Sequence, residues 1–434
     1  MALRSTSPAR PYPGEELVTD DDIARHIDRY SFCPSRPGVV GIEAEWLVVD
    51  VHRPQRPVDL AVVTGSLIGL GSLPGDSKIT YEPGGQVELS SAPAPDIGRC
   101  VAALTADLQL VAAALGSEGL ALAGVGADPV RPSVRVVELP RYAAMAAYFD
   151  TAWPAGRVMM CSTASVQVNL EAGEPAQQSA RWDLVHALGP VLVAAFANSP
   201  FLAGRPTGWR STRQAVWADI DTTRTRPAVS TSDRGPVESW ARYAAEARVM
   251  LVQGPDGCRP LAEALPFGRW VAGDGSRRRP TYADLDYHLT TLFPPVRPRG
   301  WLELRMLDAQ SVDHWPVAAA VATALLDDPV AADAAREACE PAAGRWRSAA
   351  RNGLTDPVLA RAAAACFAAA IDALPRIGGA DLVPVVTAYA ERHVSVGRCP
   401  ADDLLLIGAD EGPAAVLLAG RRAGRTNDLE PAWL

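Results

Sequence analysis

The chain has 434 residues, 48% hydrophobic and 21% charged, with a net charge of −9; this excludes global disorder and leaves room for one large domain with an appended part, or for two. The only run of basic residues is Arg277 to Arg279, which argues against a nucleic-acid partner. Seven scattered cysteines with no C-x-x-C argue against a zinc ribbon or a disulfide framework and fit a reducing cytoplasm.

In chain order, residues 1–19 read as a mobile tail without the apolar run of a signal peptide. From Asp20, "DDDIARHIDRYSF" has acidic residues where a helix N-terminus favours them, then apolar spacing that suits a short helix. "VVGIEAEWLVVD", "QVELSSAP", "LALAGVGADPV", "RVMMCSTASVQVNLEA" and "GWLELRMLDAQ" predict strands. "DIGRCVAALTADLQLVAAALGSEG" and "RWDLVHALGPVLVAAFANS" predict helices, and from Pro316 an alanine-rich composition predicts a helical C-terminal region. No segment reaches the roughly 18 uninterrupted apolar residues of a membrane span. The expectation is three parts: the tail, a catalytic domain over 20–315, and a helical region over 316–434 packed on it.

Period-two alternation in the first strand puts Val40, Ile42, Ala44, Trp46 and Val48 on one face and Glu43 with Glu45 on the other. The stretch Val158 to Leu170, read as one strand, sends Cys161, Thr163, Ser165, Gln167 and Asn169 to a polar, uncharged face that could line a site. Trp301 to Leu307 sends Glu303 and Arg305 one way and Leu302, Leu304 and Met306 the other. "EPGGQVELS" adds Glu82 and Glu88 around Gly84 and Gly85. Five carboxylates thus lie on candidate polar faces. Converged, each pair about 4 Å apart would repel by roughly 4 kcal/mol at an effective dielectric near 20. Either the side chains diverge into water, or they surround divalent cations, for which oxygen ligands suit Mg²⁺ or Mn²⁺ and disfavour zinc. P-loop, Rossmann and hydrolase signatures are missing.

"ITYEPGGQVELSSAP", "RVMMCSTASVQVNLE", "FANSPFLAGRPTGWRSTRQAVWADIDTTRTRP" and "HLTTLFPPVRPRGWLELRM" resemble the plant-type and bacterial glutamate–cysteine ligases, most closely the actinobacterial enzymes of ergothioneine synthesis. The resemblance implies an α+β fold: a curved, mostly antiparallel sheet of the glutamine-synthetase-like type with helices outside. It implies Mg²⁺ held by Glu43, Glu45, Glu82, Glu88 and Glu303, with Gln167 ligating directly or through water, and ATP as co-substrate. The two glycines would let the backbone turn so that Glu82 and Glu88 reach one cluster.

The same resemblance implies that Arg305 faces the transferred phosphoryl group and that Arg213 and Arg141 are candidates for the glutamate α-carboxylate. Asn169 and Trp217 would lie nearby, and Arg224 is a further substrate candidate. His288 reads as a core histidine. Where the plant-type pattern carries an arginine, this chain has Ser162, which strand parity puts on the apolar face. The paired cysteines of the plant enzymes have no counterpart, so no disulfide switch is expected. The implied reaction joins L-glutamate to L-cysteine with ATP, through γ-glutamyl phosphate, in a cytoplasmic monomer or small homo-oligomer that needs neither nucleic acid nor membrane. A ligase of another amine, a guanidine kinase and a non-catalytic sensor would share the metal site.

Overall fold

The computed structural model describes residues 14–419, apart from 18, 231–233, 255–256, 262 and 275–277. Its centre is a seven-stranded sheet made of β1 (Val40–Asp50), β2 (Lys78–Tyr81), β3 (Val87–Ser90), β4 (Leu120–Ala123), β5 (Ser165–Glu171), β6 (Val296–Pro298) and β7 (Trp301–Asp308). The order is β6-β7-β5-β1-β3-β2, with β4 also paired to β1, and every pairing is antiparallel. β1 organises the sheet: it pairs with β5 over 40–44, with β3 over 43–46 and with β4 over 47–50.

The alternation read from the sequence decides what each face meets. Ile42, Ala44, Trp46, Val87, Leu89, Val166, Val168, Leu302 and Leu304 are buried in the main apolar core. Helices Ile97–Ser117, Pro175–Ala195 and Trp315–Asp327 pack on that side of the sheet. On the opposite face Glu43 and Glu45 are followed by Leu47 and Val49, which pack with Phe201, Leu404 and Val416. The polar face is therefore closed by apolar contacts at one end.

The alanine-rich helices begin at Trp315 and share the core of the sheet: Val317, Leu325 and Phe367 belong to the same cluster as Trp46 and Leu104. Small alanine side chains let these helices approach closely. Ile97–Ser117 and the run Pro357–Ile377 are long and apolar enough to cross a bilayer, yet Val101, Leu104, Ala363 and Phe367 are buried inside this protein core, which accounts for their composition.

Two expectations are corrected. Residues 155–162 form a helix, not the start of a strand, and β5 begins only at Ser165. The adjacent Met159, Met160 and Cys161 break strict alternation; on a helix they bury together against Met145, Phe149 and Val216. Ser162 is buried through that helix, 2.6 Å from the Ser133 hydroxyl, and Cys161 and Thr163 leave the polar face. The second correction concerns the tail. Residues 1–13 and 18 lie outside the described residues, but Glu16 bridges to Thr281, the Leu17 N–H donates to Pro280 O at 2.8 Å, and Leu17 is 0% exposed. This segment is docked, and the hydroxyl of Thr19 then caps the first helix, Asp20–Ser31.

Leu17→Ala should therefore cost about 2–5 kcal/mol of stability, the usual range for emptying a fully packed leucine site. Denaturant unfolding measures it; an unchanged midpoint would mean that the segment contributes no packing.

Candidate active site

The strand register alone assembles a polar face. Glu45 lies opposite Glu88, Glu43 opposite Gln167, Thr80 opposite Glu88, and Glu303 opposite Asn169. Directly opposed residues share a face, so side chains separated by up to 260 positions come together. Glu82 joins them from the turn between β2 and β3. That turn is closed by the Glu82 N–H donating to Gln86 O at 3.0 Å and the Gly85 N–H donating to Glu82 O at 2.8 Å.

Both glycines are required there for different reasons. Gly85 has φ +86°, where a side chain is strained, and a Cβ on Gly84 would stand 2.0 Å from the carbonyl oxygen of Cys161. The loop thus presses against the end of the 155–162 helix, and the Gln86 carboxamide fastens it by donating to Thr163 O at 2.7 Å.

Carboxylate oxygens of Glu45, Glu82 and Glu88 all lie within 4.8 Å of one another. At an effective dielectric near 20, each such pair costs about 3 kcal/mol when both groups are charged. Burial pushes all three carboxyls above the usual range; repulsion adds to it at Glu82, which Glu45 and Glu88 both raise and which is held furthest up, and at Glu88, which Glu45 raises, whereas Arg213, Arg305 and Ser165 pull Glu45 back. Glu43 is raised by burial and then by Glu303 and Glu88. Three partly buried acids crowded together form an all-oxygen donor set that fits a hard divalent ion.

Each acid is also aimed. Glu45 accepts from the Ser165 N–H (2.8 Å), the Ser165 hydroxyl (3.0 Å) and Gln167 Nε2 (3.0 Å). Glu88 accepts from the hydroxyls of Thr80 (2.6 Å) and Ser90 (3.1 Å). Glu43 accepts from Asn169 Nδ2 at 3.2 Å, and Asn169 Oδ1 in turn accepts from Trp301 Nε1 at 3.0 Å.

Glu303 shares the face but differs in state. Arg297 grips it with two bonds of 2.6 and 3.1 Å, while Arg299 and Arg305 approach to 3.3 and 3.1 Å. Burial works against its charge, but these guanidinium groups outweigh it and hold the carboxyl well below the usual range. Gln167 has both ends engaged, donating to Glu45 and accepting from Arg305 Nη1 at 2.6 Å. It links the acid cluster to Arg305, whose charge is reinforced by Glu303, Glu43 and Glu45 against the effect of burial.

Arg213 is 3% exposed and donates to the Arg305 carbonyl at 2.8 Å. Behind it lies Asp308, which accepts from Asn198 N (2.9 Å), Ser199 Oγ (2.7 Å) and Ser211 Oγ (2.8 Å) and comes within 3.9 Å of Arg213 Nη1. Trp217 lies 5.5 Å from the Arg213 guanidinium and 6.0 Å from that of Arg305. A small cavity is lined by these three residues with Phe293, Pro294 and Pro295. Arg213 Nη1, Arg305 Nε and Trp217 Nε1 are buried donors that meet no acceptor in the protein.

The other two arginine candidates are engaged with protein groups. Arg141 docks on Thr290, through bonds of 2.9 and 3.0 Å, and over the Tyr287 ring. Arg224 is 0% exposed and is spent on Asp221 (3.0 Å), Thr291 O (2.7 Å) and Arg248 O (2.6 Å); its buried ion pair holds a loop instead of facing the cluster. His288 is buried, 2.9 Å from Ala244 O and stacked on Phe267. The sequence reading missed Thr80, Ser90, Arg297, Arg299, Asp308 and Tyr142, whose hydroxyl is pushed up to about 12 by burial and the nearby Glu82 and Glu88. Hairpin pairing could have found Thr80 opposite Glu88 and Arg297 opposite Glu303.

A model of the glutamate–cysteine ligase family 2 matches residues 39–419. The chain is 44% identical over 407 residues to the glutamate–cysteine ligase EgtA of Mycolicibacterium smegmatis, covering 93% of this chain and 95% of that protein. It is 45% identical over 400 residues to EgtA of Mycobacterium tuberculosis, covering 90% and 91%. The crystal structure of glutamate–cysteine ligase from Francisella tularensis in complex with AMP superposes with a TM-score of 0.53 over 89% of this chain and 88% of that one, at 14% identity. That likeness is one of fold, of the glutamine-synthetase-like type. With its sheet, its helices and nearly its whole length matched, the chain belongs to the glutamate–cysteine ligase family 2.

Proposed function

We propose that this ligase joins the γ-carboxylate of L-glutamate to the amine of L-cysteine, converting ATP to ADP and phosphate and giving γ-glutamylcysteine, in ergothioneine biosynthesis. The observation that carries the reading is the adjacency of a three-carboxylate cluster to a cavity of unpaired buried donors, on the fold of relatives named as glutamate–cysteine ligases. A carboxylate is a poor electrophile. ATP transfers its γ-phosphoryl group to the glutamate γ-carboxylate, forming a C–O–P linkage; the cysteine nitrogen then attacks the carbonyl carbon and phosphate leaves as the amide forms.

Glu45, Glu82 and Glu88 would hold Mg²⁺, with Glu43 beside them and Glu303 at the Arg297 end of the face. The ion supplies Lewis-acid neutralisation of phosphate charge when bound. The chain's own cations do the orienting. Arg305 presents its free Nε–H toward phosphoryl oxygens, and Arg213 presents Nη1–H to the glutamate α-carboxylate, for which a planar fork is suited. Trp217 walls that subsite, and Asn169 keeps Glu43 in place. Charge stabilisation and positioning are the main catalytic levers of phosphoryl transfer. All seven cysteines are free thiols, which suits the cytoplasmic setting we propose.

The deciding assay is ADP release with glutamate alone and then with cysteine or other amines. Strict dependence on both amino acids is expected; equal rates with unrelated amines would remove the cysteine assignment.

Arg213→Lys keeps the charge and loses the fork, so the glutamate KM should rise while ATP saturation stays near wild type. Initial-rate kinetics in each substrate test this, and an unchanged glutamate KM would take Arg213 out of the subsite.

Glu45→Gln removes one charge from the repelling cluster. In chelator the variant should melt no lower than wild type, whereas Mg²⁺ with ATP should stabilise wild type much more. Turnover should fall by about a hundredfold or more. The pH dependence follows from the raised carboxyls. Between their ordinary value of 4.5 and their raised folded values, the folded protein binds more protons than the unfolded chain. Metal-free stability should therefore fall as pH rises through that window. Melts at several pH values in chelator, showing the opposite slope or none in wild type, would mean that the three acids do not share one site.

A further inference from the structure

The polar face of the sheet is closed at the Leu47 and Val49 end and opens at the other. Exposure rises along the strands in that direction, from Glu45 to Gly41 on β1, from Gln167 to Asn169 on β5, and from Glu303, 0% exposed, to Trp301, 38% exposed, on β7. Trp301 is the most exposed tryptophan among the described residues.

Its ring is held in place. Trp301 Nε1 donates to Asn169 Oδ1 at 3.0 Å, and Asn169 Nδ2 donates to Glu43 at 3.2 Å, so the indole is tied to the acid face through one carboxamide. The Arg299 guanidinium lies 5.6 Å from the centre of the ring. Arg299 is 46% exposed and spends Nη1 on Glu303 at 3.3 Å, while its Nε and Nη2 meet no acceptor among the described residues. Gly41, opposite Asn169, leaves the strand bare at this mouth, although a Cβ there would make only ordinary contact, 3.5 Å from the Asn169 Cβ. At about 3.4 Å per residue, Trp301 and Arg305 stand roughly 13 Å apart along β7, a span that suits an extended nucleoside triphosphate from base to γ-phosphate.

We propose that Trp301 is the shelf on which the base of the nucleotide co-substrate stacks, with Arg299 beside it turned to the polyphosphate. This rests on the ligase reading above and adds the seat of the nucleotide's non-reacting end. An indole offers its face to any base, and a guanidinium gives charge-assisted bonds to phosphate oxygens. Glu303 stays gripped by Arg297 and Arg305 when Arg299 turns to the ligand. The base lies at the open mouth and the γ-phosphate at Arg305.

Titration calorimetry on the full chain, with MgATP and with magnesium tripolyphosphate, separates the two contacts, since tripolyphosphate has the phosphates and no base. Wild type should bind MgATP about tenfold tighter than tripolyphosphate. Trp301→Ala should lose about that factor for MgATP and leave tripolyphosphate unchanged, with the ATP KM rising in step and the glutamate KM near wild type. Trp301→Phe keeps a ring without the N–H and should retain most of the MgATP affinity, which separates stacking from the bond to Asn169. Arg299→Gln should weaken both ligands by a similar factor. If wild type binds MgATP and Trp301→Ala binds it equally well, or loses both ligands alike, the shelf is overturned and the ligase reading stands. If wild type does not bind MgATP, the ligase reading falls and the shelf with it. Should Trp301→Ala fail to fold, Trp301→Leu, which keeps apolar bulk without an aromatic face, carries the same expectation, and equal wild-type affinities for the two ligands would overturn the shelf without any variant.

Discussion

Repulsion among Glu45, Glu82 and Glu88 is the constraint around which this molecule is arranged. Three fully charged pairs at the separations seen would cost about 10 kcal/mol, as much as a whole domain's stability. The protein does not remove that strain; it distributes it. Burial and crowding make the acids harder to ionise, hydroxyls and amides aim their oxygens, and Arg213 and Arg305 counter part of the charge on Glu45. The rest of the architecture serves to keep the acids from separating: helices cover the apolar face, Cys161 backs the Gly84 turn, and Leu47 and Val49 seal one end.

Two kinds of electrostatic balance coexist on one sheet face. Glu303 is over-compensated by three guanidinium groups, whereas Glu45, Glu82 and Glu88 are under-compensated. A buried acid already satisfied by arginine is held firmly in place, and an acid left in deficit attracts a cation. Arg305 sits at the border between the two regimes, linked to Glu303 directly and to Glu45 through Gln167.

Much of this was legible in the sequence because strand alternation is a local property. Glu43, Glu45, Gln167, Asn169 and Glu303 lie on the face that period two assigns to them, and the Gly-Gly turn carries Glu82 to it. What failed did so for identifiable reasons. Residues 158–162 alternate loosely enough to imitate a strand, but burial against the helix Pro140–Asp150 decided the matter, a tertiary effect beyond local pattern. Leu17 and Val18 are an isolated apolar pair between acidic and polar residues, so nothing periodic marked the docking of Leu17. Arg224 and Arg213 look alike in sequence. Only the three-dimensional supply of acceptors distinguishes the one that is saturated from the one with a donor to spare.

The placement of β1 at the centre of the sheet also has a kinetic meaning. Its partners come from residues 87–90, 120–123 and 165–171, and Glu303 arrives only when β7 docks on β5. Closing loops of such length before any contact rewards them makes folding slow. Glu303 completes the polar face only when β7 has docked, so a ligand held across the whole face, as proposed above, would act as a lock on the finished fold, slowing its unfolding, and not as a template for its assembly.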